Sequence, residues 1–245
     1  MKWLRIGIFS IVLSNLAYAA PPSYLVTDLG SLTWATPIPG PGSLPGTEEY
    51  DRTTAGEVGS DTIQESVGPV THAYLYRNQQ LMDLGVLPGA LSYTLPPRSI
   101  GLALNTAAHV VGGSDSAFYH SAVGLGTAAP HAVLWNGTIN DLGTLSGDPG
   151  YASAATAIND FDEIVGNSEV TITNGLLANR AFVWIAGKMY NLTSYVAISY
   201  PNVRLTTAIG INCQGDIAAL GYDIRTPNTE RNYLLSRTGP RRNCP

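Results

Sequence analysis

Acid–base chemistry in this 245-residue chain would have to come from four histidines and a thin scatter of carboxylates. Cleaving a glycosidic bond takes two carboxyl groups about 5–10 Å apart, one donating a proton and the other attacking or activating water. Asp61, Asp115, Asp148 and Glu169 are the carboxylates in a position to attempt it. Among the histidines, His120 has the most individual setting, the segment AFYHSAVGLGTAA. The run Asn159-Asp160-Phe161-Asp162-Glu163 is the one oxygen-rich cluster. It lacks the glycine and the terminal glutamate of a helical calcium loop, so no metal is assigned to it. The chain holds no His-Glu-x-x-His pair, no Gly-x-Ser-x-Gly elbow, no phosphate-cradling glycine loop and no zinc spacing. No cofactor is expected.

Repetition accounts for much of what remains. His72 and His131 sit in related phrases, THAYLYRNQQLMDLGVLPG and HAVLWNGTINDLGTLSG, and NRAFVWIAGKMYNLTSY carries Arg180 in the same place. A catalytic base does not recur by module with arginine as a substitute, so these positions read as scaffold. His109 follows a turn and is expected at the surface. Trp135 and Trp184 also recur in register, which favours packing over sugar stacking. A second phrase appears as ALNTAAHVVGGS, AINDFDEIVGNS and GINCQGDIAALG, and its Asn105, Asn159 and Asn212 lie 54 and 53 residues apart. Such a period marks a repeat architecture. Each asparagine suits the start of a turn, where its side chain bonds amides ahead of it. Three residues later, at Ala108, Asp162 and Gly215, the backbone needs positive φ, which strains Ala108 by about 1–2 kcal/mol.

The elements that must carry these residues are strands. Ala132 and Leu134 face one way, and His131, Val133 and Trp135 the other. Asn136-Gly137 is a two-residue hairpin signal. Each module is therefore two hairpins, four short strands, and sustained helical periodicity is absent. Modules fall near residues 50–87, 100–145, 154–195 and 205–237, the first keeping only AGEVGSD of its opening hairpin. The last ends on Arg231-Asn232-Tyr233-Leu234-Leu235 with no Asp-Leu-Gly strand after it, whereas Tyr24 to Leu32 supplies that phrase at the other end of the chain. The expected fold is all-β, a repeat architecture, most simply a small, about four-bladed β-propeller closed by the N-terminal strand. A curled sheet or an open stack is the alternative.

Residues 1–19 read as a secretory signal: Lys2 and Arg5, an apolar core from Ile6 to Leu16, and Ala17-Tyr18-Ala19 as the cleavage site. Residues 20–245 then form a single β-repeat domain, extracellular or periplasmic. No later apolar run is long enough to span a membrane. The net charge of −5, with Gly 26 and Pro 16, describes a turn-rich acidic protein without the basic groove that nucleic acid requires. Cys213 and Cys244, an even number in an exported chain, are expected to form a disulfide.

HAYLY, HAVLW, the Asp-Leu-Gly phrases and AINDFDEIVGNS together resemble the bacterial extracellular repeat family called HAF, after its His-Ala-Phe triplet. The resemblance runs from about Tyr24 to Leu235, with Arg180 and Arg231 standing where His72 and His131 do. It implies export and a repeat β fold, and no established activity or catalytic residues. Function is therefore sought where the repetition stops. In an up-and-down module the long connections share one end, and variable loops on a rigid scaffold are where binding resides. Tyr93, Arg98, Asp115, Tyr119, His120, Asp148, Tyr151 and Tyr195 occupy that end. The leading expectation is a monomeric, non-catalytic module binding a polysaccharide or a protein there. A glycan-active hydrolase or lyase is one alternative, and a structural envelope or matrix component another.

Overall fold

Four antiparallel four-stranded sheets make up the computed structural model, which describes residues 23–30, 47–65, 68–90, 96–120, 128–196, 199–240 and 242–244. Residues 1–19, read above as a secretory signal, and Tyr93 lie outside the described residues. Strand β1 is Tyr24–Gly30. Module one follows as β2 Thr47–Thr53, β3 Gly56–Glu65, β4 Gly68–Arg77 and β5 Gln80–Asp83. Module two is β6 Ser99–Leu104, β7 Val110–Tyr119, β8 Ala128–Trp135 and β9 Ile139–Gly143. Module three is β10 Ser153–Ile158, β11 Ile164–Thr171, β12 Leu177–Ile185 and β13 Lys188–Asn191, followed by the short helix α1 Thr193–Val196. Module four is β14 Val203–Ile211, β15 Ile217–Asp223 and β16 Glu230–Arg237.

Its fourth strand is β1, which pairs antiparallel with β16 so that Val26 faces Leu235 and Asp28 faces Tyr233. The first strand among the described residues thus completes the last module. Module one departs from the sequence expectation, because β2 is a full strand where a connection was expected. Its sequence TEEYDRT shows no apolar alternation. The strand is specified by backbone pairing to β3 and by Asp51, whose Oδ2 accepts the Leu104 amide of module two at 3.0 Å.

The four sheets form the expected small propeller-like repeat architecture, packed with both faces of a sheet in use. Val110, Val133 and Trp135 pack with Val58 and Leu75 of module one, while Val111, Ala132 and Leu134 pack with Ile164 and Phe182 of module three. A third cluster joins modules three and four through Val165, Val183, Leu205, Tyr233 and Val26. Two-sided burial explains why HAVLW is nearly continuously apolar. Gly112 and Gly166 sit opposite bulges in β6 and β10, where a Cβ would lie 1.9 Å from the Ile100 carbonyl oxygen and 2.0 Å from that of Ala154.

Between the apolar clusters runs a ladder of buried polar groups. The Asn105 Nδ2 donates to the Asn159 carbonyl at 3.1 Å, and the Asn159 Nδ2 to the Asn212 carbonyl at 3.1 Å. The repeated asparagines start their turns as expected, with Asn105 Oδ1 accepting from the Ala107 and His109 amides, but they also splice one module to the next. Serines do the same at the other end. Ser99 and Ser153 each donate to the closing glycine carbonyl of the module before, Gly85 and Gly143, at 2.6 Å. They accept the Ala73 and Ala132 amides at 2.9 Å.

Positive φ occurs at all three positions where the turn requires it: 62° at Ala108, 56° at Asp162 and 82° at Gly215. Ala108→Gly is therefore expected to stabilise the chain by about 0.5–1 kcal/mol, relief of left-handed strain outweighing the added freedom of the unfolded chain. Thermal melting checks it, and a lower midpoint would contradict the strain.

Candidate binding face

The connections between strands two and three of each module and between one module and the next lie at one end of the strands, the first of them shortened to residues 66–67 between β3 and β4 where a longer loop is expected from the repeat. Arg98 precedes β6, His120 follows β7, Asp148 and Tyr151 lie between β9 and β10, and Tyr195 sits in α1. Most of these residues meet partners in the same or the next module. The Arg98 amide donates to Asp115 Oδ2 at 2.9 Å, and its guanidinium Nε lies 3.7 Å from the same oxygen. Fifty-four residues on, the Ala152 amide donates to Glu169 Oε2 at 2.8 Å, and His120 Nε2 from module two reaches that oxygen at 3.0 Å. His120 is buried against module three and so bridges two modules. The Tyr151 hydroxyl bonds Thr171 Oγ1. Asp148 caps its own turn, its Oδ1 accepting the Gly150 amide at 2.9 Å. Tyr119 ends β7 opposite Ala128. Tyr195 packs edge-on against Tyr24 with ring centroids 5.8 Å apart, and burial pushes both hydroxyls above their ordinary pKa. Asp115 and Glu169, which a hydrolase would use, thus occupy equivalent positions in successive modules and are engaged by Arg98 and His120.

The remaining acid–base candidates turn inward. His131 is buried, its Nδ1 2.8 Å from Asp141 Oδ2 and its Nε2 2.9 Å from the Pro149 carbonyl. Both neighbours only accept, so the ring donates from both nitrogens and is a cation. Burial opposes that charge, but the hydrogen bond and charge of Asp141 outweigh it and raise the His131 pKa above its ordinary 6.5. Burial likewise opposes ionisation of Asp141, but the bonds from His131 and the Gly143 amide hold its carboxyl below 3.8. The ring's contribution to stability is therefore complete below pH 6.5 and is lost as pH rises through its raised folded value. The advantage of wild type over His131→Gln, measured by urea unfolding, is expected to shrink from pH 6 to pH 9. A constant difference would contradict a charged ring.

His72 repeats the arrangement with Asp83 at 3.0 Å. In module four, Arg231 Nε bonds Asp28 Oδ2 at 2.8 Å, which explains how arginine replaces histidine: either side chain offers an N–H to the aspartate of the Asp-Leu-Gly phrase. In module three that aspartate is Asn191, and Arg180 donates instead to the Asn179 carbonyl. The oxygens of 159–163 are spent between modules too. Asp160 accepts from Thr106, Asp162 from Asn105 and His109, and Glu163 from Arg237 and Arg242. Among the described residues, no group of three or more His, Cys, Asp or Glu is arranged to hold a metal ion. Trp135 is buried and donates Nε1–H to the Leu84 carbonyl at 2.8 Å.

One cleft at the loop end was not legible in the sequence. About 550 Å³ in volume, it opens in module four between Tyr200, the 223–226 turn and the β1–β16 pair. Arg225 grips Asp223 through Nε and Nη2 at 2.9 and 2.5 Å, and those bonds hold the Asp223 carboxyl at about 2. The Asp28–Arg231 pair forms the opposite wall. Tyr233, 1% exposed, lies at its floor; its hydroxyl has no hydrogen-bond partner, and burial raises its pKa. The break in the repeat at Arg231 is the one trace of this site in the sequence. A second cavity, about 480 Å³, lies at the hairpin-turn end between modules one and two, beside Arg77, His109 and Trp135.

Compared with known proteins, the chain matches no family model, no curated protein and no solved structure. A disulfide joins Cys213 to Cys244. No helix among the described residues is long and apolar enough to cross a membrane.

Proposed function

We propose that this chain is an exported, non-catalytic β-repeat module of the HAF type that binds a polysaccharide through the loop end of its stack. What carries this reading is the bracing of that end. Described residues at that end are tied to neighbouring strands by the Arg98–Asp115, His120–Glu169 and Tyr151–Thr171 contacts. A preorganised polar surface lowers the ordering cost of binding. The disulfide fits an oxidising compartment. The engagement of Asp115 by Arg98 and of Glu169 by His120 favours binding over a two-carboxylate hydrolase, and the recessed cleft favours binding over a purely structural role.

Purified mature chain on an array of extracellular polysaccharides and oligosaccharides tests the proposal, with a pull-down from the producing cells' medium and envelope in parallel. Retention of a defined glycan set is the expected result. An empty array would overturn it, and a protein captured in its place would assign the face to a protein partner.

A further inference from the structure

We infer that the module-four cleft is a binding site for a neutral, polyhydroxylated unit, a one- or two-sugar segment of an uncharged glycan, gripped by Tyr233, Arg231, Asp28 and the Asp223–Arg225 pair. The inference rests on the polysaccharide reading above and assigns it a place and a chemistry.

Three observations carry it. The first is the Tyr233 hydroxyl, which is buried and has no partner. A buried hydroxyl without a hydrogen bond is destabilising, and phenylalanine would fill the same space without that loss. A group arriving in the cleft supplies the missing partner. The second is charge. Two cations, Arg225 and Arg231, are each matched by a carboxylate, Asp223 and Asp28, so the walls are neutral as a whole. An anion would have to displace a carboxylate from its arginine, and a cation would have to displace an arginine. Hydroxyl groups accept from a guanidinium and donate to a carboxylate at once, so vicinal diols fit alternating arginine and aspartate without breaking either pair. The third is shape. The volume of about 550 Å³ falls within the range of small-ligand sites, and Tyr200 adds an aromatic wall whose hydroxyl is held by the Val26 carbonyl at 3.4 Å.

The site is also composite. Asp28 comes from β1 and the other polar groups from β14 through β16 and their connections, so it exists only when the first strand has docked on the last module.

Isothermal titration of the disulfide-intact chain tests the assignment. The probes are neutral di- to tetrasaccharides, with matched uronate-containing and sulfated sets. Neutral saccharides are expected to bind wild type, and Tyr233→Phe to weaken them about ten-fold or more while leaving the melting temperature equal or higher, since no existing bond is lost. Arg225→Ala, at a side chain 72% exposed, is expected to weaken binding with little effect on folding. Neutral saccharides that bind wild type and both variants equally would overturn this cleft as the site while leaving the loop-end reading intact. Binding confined to the anionic sets would overturn the neutral-ligand assignment. No binding by any set would overturn the saccharide reading itself.

Discussion

Asn159→Ala is expected to lower stability by about 3 kcal/mol, a large effect for one uncharged side chain. Asn159 is 4% exposed and uses every polar atom it has. Its Oδ1 accepts the Phe161 and Glu163 amides, both at 3.0 Å. Its Nδ2 donates to Glu163 Oε2 at 2.8 Å and across the module junction to the Asn212 carbonyl at 3.1 Å. Truncation leaves several buried groups without partners at about 1–3 kcal/mol each, offset where water reaches them. Asn212 heads the same turn at the exposed end of the ladder and keeps only Asp216 as a side-chain partner. Asn212→Ala is accordingly expected to lose about 1 kcal/mol. Urea unfolding with an unchanged slope separates the two. Equal losses at both sites would mean that these asparagines act as turn starters alone and do not join the modules.

Reducing the Cys213–Cys244 disulfide, or replacing both cysteines with serine, is expected to cost about 3–4 kcal/mol on the chain-entropy account of a loop spanning 31 residues. The bond also holds the C-terminal tail across module four. Gln214 brackets Arg242 with two bonds, its Nε2 to the Arg242 carbonyl at 2.8 Å and its Oε1 from the Arg242 amide at 3.0 Å. Arg242 then reaches Glu163 in module three, Nη2 to Oε1 at 2.6 Å, beside Arg237 at 2.5 Å. Burial would raise the Glu163 carboxyl, but the bonds from Arg242, Arg237 and Asn159 hold it below its ordinary 4.5. Its contribution is therefore present above pH 4.5 and is lost as pH falls through the lower folded value. Without the disulfide Arg242 is less firmly held, so Glu163 is held less far below 4.5, and the stability lost on acidification is expected to be smaller and complete at higher pH. Thermal melts of oxidised and reduced protein between pH 2 and pH 7 check both parts. Coincident curves would show that the tail contributes nothing.

The fold was legible wherever a residue's role was local. The Asn-x-x positions announced their turns, down to the positive φ at Ala108, because side-chain bonding and backbone sterics act within four residues. The missing Asp-Leu-Gly partner of Arg231–Leu235 located β1, because strand count is a property of the repeat. What stayed hidden depends on which residues of different modules meet. The serine bridges at Ser99 and Ser153 recur 54 residues apart, yet serine in a strand carries no local signal. His120 looked like a loop residue because Glu169, the partner that buries it, lies in the next module. Strand β2 carries no strand signal of its own because TEEYDRT has no apolar alternation. The cleft depends on Asp28 standing opposite Tyr233, two residues 205 positions apart in the sequence. The repeat explains the scaffold residues, and the cleft lies where β1 meets β16.

Hydrogen exchange of the amides in residues 24–30 and 231–237, followed by mass spectrometry, tests that meeting most directly. The two segments are expected to be protected together and to open in one step, since each supplies the other's ladder partners and Val26 lies in the core with Tyr233 and Leu235. Residues 24–30 exchanging as a free tail while 231–237 stays protected through β15 alone would contradict the account, and with it the cleft that Asp28 helps to form.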